Sequence, residues 1–448
     1  MKLASLFFAA SLLAVQAEPT PKERHVILLT LDGFPAWLWH DPGLPAPTLR
    51  KLAAGGASAD AMTVSNPSIT WINHTTLVTG VTPRKHGVLF NGLLVRQGPD
   101  KPPKIEQWVD KDKLVFAPTL YDLAFEAGLT TAEVDWAAVT RAKTITWSFP
   151  ELPKADGPIE KEMAAVGLIQ PEYCEWFKGY GGKSIAWRDQ TWTQAASYIL
   201  EHKKPNLLLV HLLNTDALHH QFGPGSWAGM TGLAYADRLV GDLMQSVKDS
   251  GLARTTTIFI TTDHGFKKVS KLIFPNVALK LAGFGKGIGP SLTQGDASVV
   301  TEGGLAFVYV HNPERRAELL PKLTELLGKI EGMDRVIPGT EGPGMGMPTP
   351  AENTGMGDLI LIPKAGYAFQ QSAAGETVVT VSQNYLGTHG YLASDPELDG
   401  IFIATGAGIK PGVTLKRVSN LDVAPTIAKL LGLKIPQAEG KVLDEILK

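Results

Sequence analysis

Thr255-Thr256-Thr257-Ile258-Phe259-Ile260-Thr261-Thr262-Asp263-His264-Gly265 decides how the rest of the chain is read. Its β-branched and aromatic residues predict a buried strand over Thr255 to Thr262. That strand stops on two metal-friendly side chains beside a glycine that lets the backbone turn. His25 to Leu31 has the same build, a short apolar run ending at Asp32-Gly33. Asn206 to Leu213 is a third such run, and Asp216 and His220 follow it closely. Short continuous apolar runs are what a parallel sheet buried on both faces requires.

Helical segments lie between the strands. Pro47 to Ala54 (ending at Gly55-Gly56), Thr70 to Thr79, Thr119 to Glu126, Asp189 to Glu201, Met230 to Ser250, Glu314 to Ile330 and Leu421 to Leu431 read as helices. Thr130 to Val134, Leu305 to His311, Asp358 to Ile362 and Gly400 to Ala404 read as further strands. The alternation predicts an α/β fold, a mostly parallel central sheet with helices on both faces, whose ligand site lies beyond the carboxyl ends of the strands. Residues 266–384 separate His264 from His389 and carry strand and helix signals of their own, so a cap-like insertion with returning core elements is expected there. Within it Pro338 to Gly357, crowded with glycine, proline and methionine, reads as a mobile surface connection in preference to a lid.

A chain of 448 residues, 44% hydrophobic and 19% charged, has ample material for one large domain or two ordinary ones. The formal net charge of -2 argues against binding to a nucleic-acid duplex, and any nucleotide handled would be a small substrate. Met1-Lys2, the apolar run Leu3 to Val15, and Val15-Gln16-Ala17 before Glu18 form the pattern of a secretory signal peptide over residues 1–17, with a catalytic domain over 18–448. About 13 apolar residues are too few to cross roughly 30 Å of hydrocarbon, so no stable membrane anchor is expected. The expected location is exported, periplasmic or secreted. Cys174 is the only cysteine, which precludes an intrachain disulfide and reads as a packed or idle thiol.

Each site residue has a plain structural reading beside the chemical one. Asp216-x-x-x-His220 places a carboxylate and an imidazole on one side of a helical turn, a spacing that suits zinc, although a capping aspartate with an incidental histidine explains it alone. Asp263-His264-Gly265 and Asp32-Gly33 pass equally for turns, and His389 for a solvated loop histidine. Thr70, or Ser68, serves as a helix cap, or else as a hydroxyl in the positive field of a helix N-terminus where a metal would favour its alkoxide. The joint occurrence at strand ends is what favours a two-metal phosphoester site.

These segments together resemble the alkaline phosphatase superfamily, and most closely its nucleotide pyrophosphatase/phosphodiesterase branch. The resemblance runs through Leu29 to Gly33, Thr70-Trp71-Ile72-Asn73-His74, Leu77 to Gly80, His86-Gly87, Asp216 to His220 with Gly223-Pro224, Asp263-His264-Gly265 and His389-Gly390-Tyr391, and closes with Asn420 to Pro425 and Leu430-Leu431-Gly432. It implies an alkaline phosphatase-like fold and two Zn2+ per chain, one held by Asp32, Thr70, Asp263 and His264, the other by Asp216, His220 and His389. It further implies attack by Thr70 on phosphorus, a phosphothreonine hydrolysed by water, and Asn73 donating to a non-bridging phosphoryl oxygen. Nitrogen-rich ligation favours zinc over manganese.

Two departures bear on substrate. Many nucleotide-cleaving relatives have Thr-Phe-Pro-Asn-His and a tyrosine five residues before the metal aspartate, two aromatics that sandwich a base. Here Trp71 takes the first place and His211, a weaker platform, the second. The expected function is a two-zinc phosphodiesterase or nucleotide pyrophosphatase acting on a small phosphoester, with a nucleotide as one option. The alternatives are a phosphomonoesterase or phosphonoacetate hydrolase with the same metal site, and a catalytically inactive metal-binding protein. A threonine at the nucleophile position disfavours a sulfatase, which needs formylglycine made from cysteine or serine, and a serine-dependent phosphoglycerate mutase.

Overall fold

The computed structural model describes residues 19–177 and 184–448. The expected signal peptide, residues 1–17, lies outside the described residues. No helix among the described residues is long and apolar enough to cross a membrane.

Among the described residues nine strands form the central sheet: β1 (His25–Leu31), β2 (Ala57–Thr63), β3 (Thr131–Val134), β4 (Trp147–Phe149), β5 (Leu207–Leu212), β6 (Thr256–Thr261), β7 (Gly400–Gly406), β8 (Val413–Leu415) and β9 (Val418–Ser419). Their order is β8-β2-β7-β6-β1-β5-β3-β4, with β9 also on β2. Every pairing from β6 to β4 is parallel, whereas β7 runs against both of its neighbours. Parallel strands need crossover helices, and these cover both faces of the sheet.

The alternation along β1 shows why the sheet is apolar throughout. Ile27, Leu29 and Leu31 pack with Trp192 and Leu239 from the helices Ile185–His202 and Trp227–Asp249. Val26 and Leu28 point the other way, to Leu120 and Ile427 from the helices Leu120–Glu126 and Val423–Leu430. Each fully buried aliphatic side chain contributes about 1.5–3 kcal/mol, so neither face tolerates a polar residue easily. The two helices of the first face begin earlier than periodicity suggests, at Ile185 and Trp227; Ser226 caps the second by accepting from Gly229 N at 3.1 Å.

Residues 266–384 build two smaller sheets and a two-stranded ribbon, Gly285–Lys286 with Gln294–Gly295. Tyr367–Phe369, Lys271–Ile273 and Val379–Val381 make one; Ala297–Thr301, Ala306–Val310, Leu359–Pro363 and Met333–Pro338 make the other. The helix Arg316–Gly328 closes a separate apolar cluster over the larger sheet. Pro338 to Gly357, expected as a mobile surface connection, is instead anchored to the body. Met347 and Met356 are buried against Leu89, Phe90 and Phe307, and Asn66 Nδ2 donates to Met345 O at 3.1 Å. Methionine fills such irregular gaps, which glycine and proline content alone does not reveal.

Candidate active site

β6, β1 and β5 are adjacent and in register, Thr30 pairing with both Thr261 and His211, so their carboxyl ends are level. Asp32 leaves β1, and Asp263 and His264 leave β6, into the same fully buried space. The turns there demand glycine: Gly33 has φ +66°, and a Cβ on Gly265 would lie 2.3 Å from Glu397 O. Asp263 Oδ1 accepts from Gly33 N at 3.2 Å and His264 N at 3.0 Å, and Asp32 Oδ2 takes His211 Nε2 at 3.0 Å. Asp32 Oδ1 and Asp263 Oδ2 are left buried without a hydrogen-bond partner, 3.3 and 3.2 Å from His264 Nε2. Gly265 O lies 3.1 Å from His264 Nδ1 and can only accept, so that nitrogen carries the proton and Nε2 presents its lone pair.

A second set forms beside the first. Asp216 lies in the first turn of the helix Asn214–Phe222, whose start is capped from outside by Asp189, accepting from Leu213 N at 2.9 Å and Asn214 N at 3.0 Å. His220 follows one turn later, with Nε2 3.3 Å from Asp216 Oδ1. His389 approaches the same oxygen at 3.5 Å. Nδ1 of His220 donates to Gly387 O at 3.0 Å and Nδ1 of His389 to Ser68 O at 2.9 Å, which again turns both Nε2 atoms inward. The rings of His264 and His389 stack at 3.7 Å and join the two sets.

Two groups of side chains are each placed so that they could hold a metal ion: Asp32, Asp263 and His264 in one, Asp216, His220 and His389 in the other. Asp216 Oδ1, like Asp32 Oδ1 and Asp263 Oδ2, is buried with no hydrogen-bond partner. Buried carboxylate oxygens without partners are costly, and divalent cations would satisfy them. Burial, then the charges of Asp263 and Asp216, push Asp32 well above the usual carboxylate range. Burial also raises Asp216, but His220 and then His389 outweigh it and hold that carboxyl well below its ordinary value. His264 and His389, pushed down to about 3 chiefly by burial, are neutral imidazoles suited to ligation.

Thr70 opens the helix Thr70–Thr79, with Ile69 at the cap position and no side-chain cap bond, so the capping explanation for this hydroxyl does not hold. Its Oγ1 lies 3.4 Å from His264 Nε2. Ser68 takes the local structural role, donating to Tyr391 O at 2.9 Å and accepting from Gly390 N at 3.0 Å. Thr70, Trp71, Asp216, His220 and His389 share the wall of a cavity of about 350 Å³.

Asn73 does not reach this cavity. It is fully buried, with Nδ2 donating to Pro67 O at 3.2 Å and Ile69 O at 3.0 Å, and Oδ1 accepting from Ser65 N at 2.7 Å and Asn420 Nδ2 at 2.8 Å. Its amide is consumed in holding the turn before the helix, so it cannot donate to a phosphoryl oxygen. Asn91 lines the cavity in its place, with Oδ1 accepting from Trp71 N at 3.0 Å, which directs Nδ2 elsewhere. In sequence, Asn91-Gly92 reads only as a tight turn, and Phe90 and Gly92 do form a bridge there.

His211 also departs from expectation. It edges the cavity but is only 5% exposed. Nε2 bonds Asp32, and Nδ1 hydrogen-bonds the backbone Asp135 O at 3.2 Å with Asp135 Oδ2 3.1 Å away. A ring clamped between two carboxylates is a strut for Asp32, not a stacking platform. Trp71, 7% exposed, keeps an edge-on contact with Trp108 at 5.8 Å and reaches the cavity. Cys174 is buried.

A sequence profile described as type I phosphodiesterase / nucleotide pyrophosphatase matches residues 26–392. The chain belongs to this family. Relatives include a venom phosphodiesterase of Macrovipera lebetinus, 26% identical over 58% of this chain and 28% of its own length. Ectonucleotide pyrophosphatase/phosphodiesterase family member 1 of Mus musculus is 27% identical over 54% of this chain and 24% of its own. The matched stretch thus spans under a third of these family members. Among solved structures, murine ectonucleotide pyrophosphatase/phosphodiesterase 5 superposes with a TM-score of 0.70 at 18% identity, covering 95% of this chain and 100% of that one. An inactive threonine-to-alanine variant of that murine protein was solved with AMP, and superposes with a TM-score of 0.69 at 18% identity.

Proposed function

We propose that this chain is a two-zinc phosphodiesterase or nucleotide pyrophosphatase that hydrolyses phosphoesters through a covalent phosphothreonine on Thr70. The observation that carries this reading is a threonine hydroxyl with no capping role, placed beside two donor sets that each hold a buried, unpartnered carboxylate oxygen. Zinc at those sets would supply Lewis acidity to phosphoryl oxygens and lower the pKa of hydroxyl and water. Asp32, Thr70, Asp263 and His264 would hold one ion and Asp216, His220 and His389 the other.

Thr70 Oγ attacks phosphorus, the bond to the leaving oxygen breaks, and water then cleaves the phosphothreonine and regenerates the hydroxyl. Asn91 Nδ2 donates to a non-bridging oxygen, while Trp71 walls the substrate and its backbone N–H holds Asn91 in place. His211 and Asp135 orient Asp32. The AMP complex of the murine relative supports a nucleotide as one substrate option. A second cavity of about 570 Å³, sharing Trp71 with the first, gives room for a second ester arm and favours a diester over a monoester. Residues 266–384 act as the cap, residues 1–17 as the export signal, and the protein works as an exported, periplasmic or secreted enzyme.

The test is turnover of bis-p-nitrophenyl phosphate, p-nitrophenyl phosphate, p-nitrophenyl thymidine phosphate and phosphonoacetate with added zinc. Diesters are expected to lead; a monoester or phosphonate in first place overturns the substrate class.

A further inference from the structure

The two ends of the 266–384 insertion meet beside the open donor set, the one made by Asp216, His220 and His389. Lys267–Lys268 pair antiparallel with Gly387–Thr388, so the chain just after His264 is hydrogen-bonded to the chain just before His389. Phe266, fully buried in this stem, sets its ring centre 4.9 Å from that of His220, 5.4 Å from His389 and 6.0 Å from His264. The ring fits because the chain is bare around it: a Cβ on Gly33 would lie 2.8 Å from it, and one on Gly387 3.2 Å. Tyr385 supplies a second ring, stacked on His220 with centres 4.9 Å apart and planes at 20°. The Tyr385 hydroxyl is held by Thr388 Oγ1 at 2.6 Å, and Leu386 N donates to His220 O at 2.8 Å. Side chain and backbone therefore tie this ring to the ligand it covers.

One hydrogen bond, from Nδ1 to Gly387 O, fixes one point of the His220 ring and leaves it free to turn about that bond. Asp216 draws the ring only through Oδ1, the oxygen that an ion would take. What sets the plane of the imidazole is then its aromatic neighbours, since ring pairs in stacked and edge-on geometry hold each other beyond the effect of burial. Tyr385 is outside the wall of the cavity of about 350 Å³, whereas His220 is part of it, so Tyr385 acts there through His220. We propose that Tyr385 is a positioning residue of the open set, whose ring, and not its hydroxyl, holds the His220 imidazole in the plane that an ion requires. Phe266, which touches histidines of both sets, steadies both. The proposal rests on the phosphodiesterase reading only in taking Asp216, His220 and His389 as ligands, and it is indifferent to the ester hydrolysed.

The test is calorimetric titration of the metal-free protein with zinc, the isotherm of the open set being identified by its loss in Asp216→Ala. Tyr385→Leu is expected to weaken that isotherm about 10- to 100-fold and to leave the buried set within about threefold of the parent. Tyr385→Phe, which keeps the ring, is expected to hold both within about threefold, and Phe266→Leu to weaken both about tenfold or more. Tyr385→Gln, polar and suited to a half-buried position, carries the same expectations as the leucine variant should that protein not melt cooperatively. With bis-p-nitrophenyl phosphate, excess zinc is expected to restore the parent's kcat to Tyr385→Leu, as it would not for a residue that touches substrate. Unchanged zinc affinity in Tyr385→Leu, equal loss at both sets, a loss as large in Tyr385→Phe, or a kcat that excess zinc does not restore overturns the proposal. The expected zinc affinities in a protein that turns over no ester would sink the phosphodiesterase reading and keep this one. Ester turnover with zinc affinities that Tyr385→Leu does not move would do the reverse.

Discussion

The two donor sets are built from the same side-chain types and yet differ in setting. Asp32, Asp263 and His264 are fully buried at the ends of two neighbouring parallel strands, with the free oxygens of both carboxylates shielded from water. Asp216, His220 and His389 are half-buried, come from a helix and a distant loop, and face the cavity of about 350 Å³. The first set borrows its rigidity from the sheet, whereas the second does not; backbone carbonyls aim the imidazoles of both. The proposed two-step hydrolysis would draw on this inequality, since it asks that a nucleophile be held still while a leaving group and a water exchange.

The largest expected effect falls on Thr70, the proposed nucleophile, which adjoins the buried set. Thr70→Ala should cut turnover by roughly ten-thousand-fold or more while zinc content stays near two per chain. Turnover within tenfold of the parent, at unchanged metal content, would remove the covalent intermediate from the account.

Next, the cavity side is tested by a pair of asparagines. Asn91→Ala should lower kcat about 100- to 1,000-fold with little change in melting temperature. Asn73→Ala should instead cost about 1–3 kcal/mol of stability, because Ser65 N and Asn420 Nδ2 lose their acceptor, with kcat per folded molecule largely retained. If urea titration and kinetics give the opposite assignment, the placement of Asn91 at the phosphoryl oxygen is wrong.

Support for the buried set is expected to be smaller in effect. Asp135→Asn should weaken the tighter zinc about 10- to 100-fold by freeing His211 and with it Asp32, while leaving the affinity of the open set unchanged. Calorimetric titration of the metal-free protein would resolve the two. Equal loss at both sets would show that they are not independently supported. The contrast in burial also predicts that a chelator removes zinc in two phases, the open set first.

The smallest effect lies outside both sets. Glu133 has a folded-state pKa near 7 against an ordinary 4.5, because burial disfavours its charge. The folded state therefore holds the proton more tightly, and the associated stability is full below about 4.5 and lost as pH rises through about 7. Glu133→Gln should flatten the fall in melting temperature over that window by a few degrees. A profile identical to the parent would place the proton elsewhere.

How much was legible depended on whether a residue's role was local. Asp32, Asp263 and His264 were readable because a short apolar strand announces its own end, and Asp216 and His220 because a helical turn brings them to one side. His389 and Thr70 became readable only jointly with these, through a family pattern. Asn73 misled because the motif gives its neighbourhood and not its direction: the side chain turns back into the preceding loop, where backbone groups and the Asn420 amide claim every valence. His211 misled for a similar reason, its ring drawn between Asp32 and Asp135 by charge.

The sequence by itself determined the alternation of strand and helix, the buried parallel sheet, and the type and order of the candidate metal-ligating side chains, since periodicity and chain reversal are local physics. Tertiary structure alone decided that Asn91 faces the cavity and that residues 338–357 pack against the segment after the nucleophile helix. It also decided that Trp71, Trp108 and Trp136 line one cavity together with the buried Glu133 and Glu160. Those are contacts between segments far apart in the chain, set by which surfaces remain to be covered once the sheet has formed.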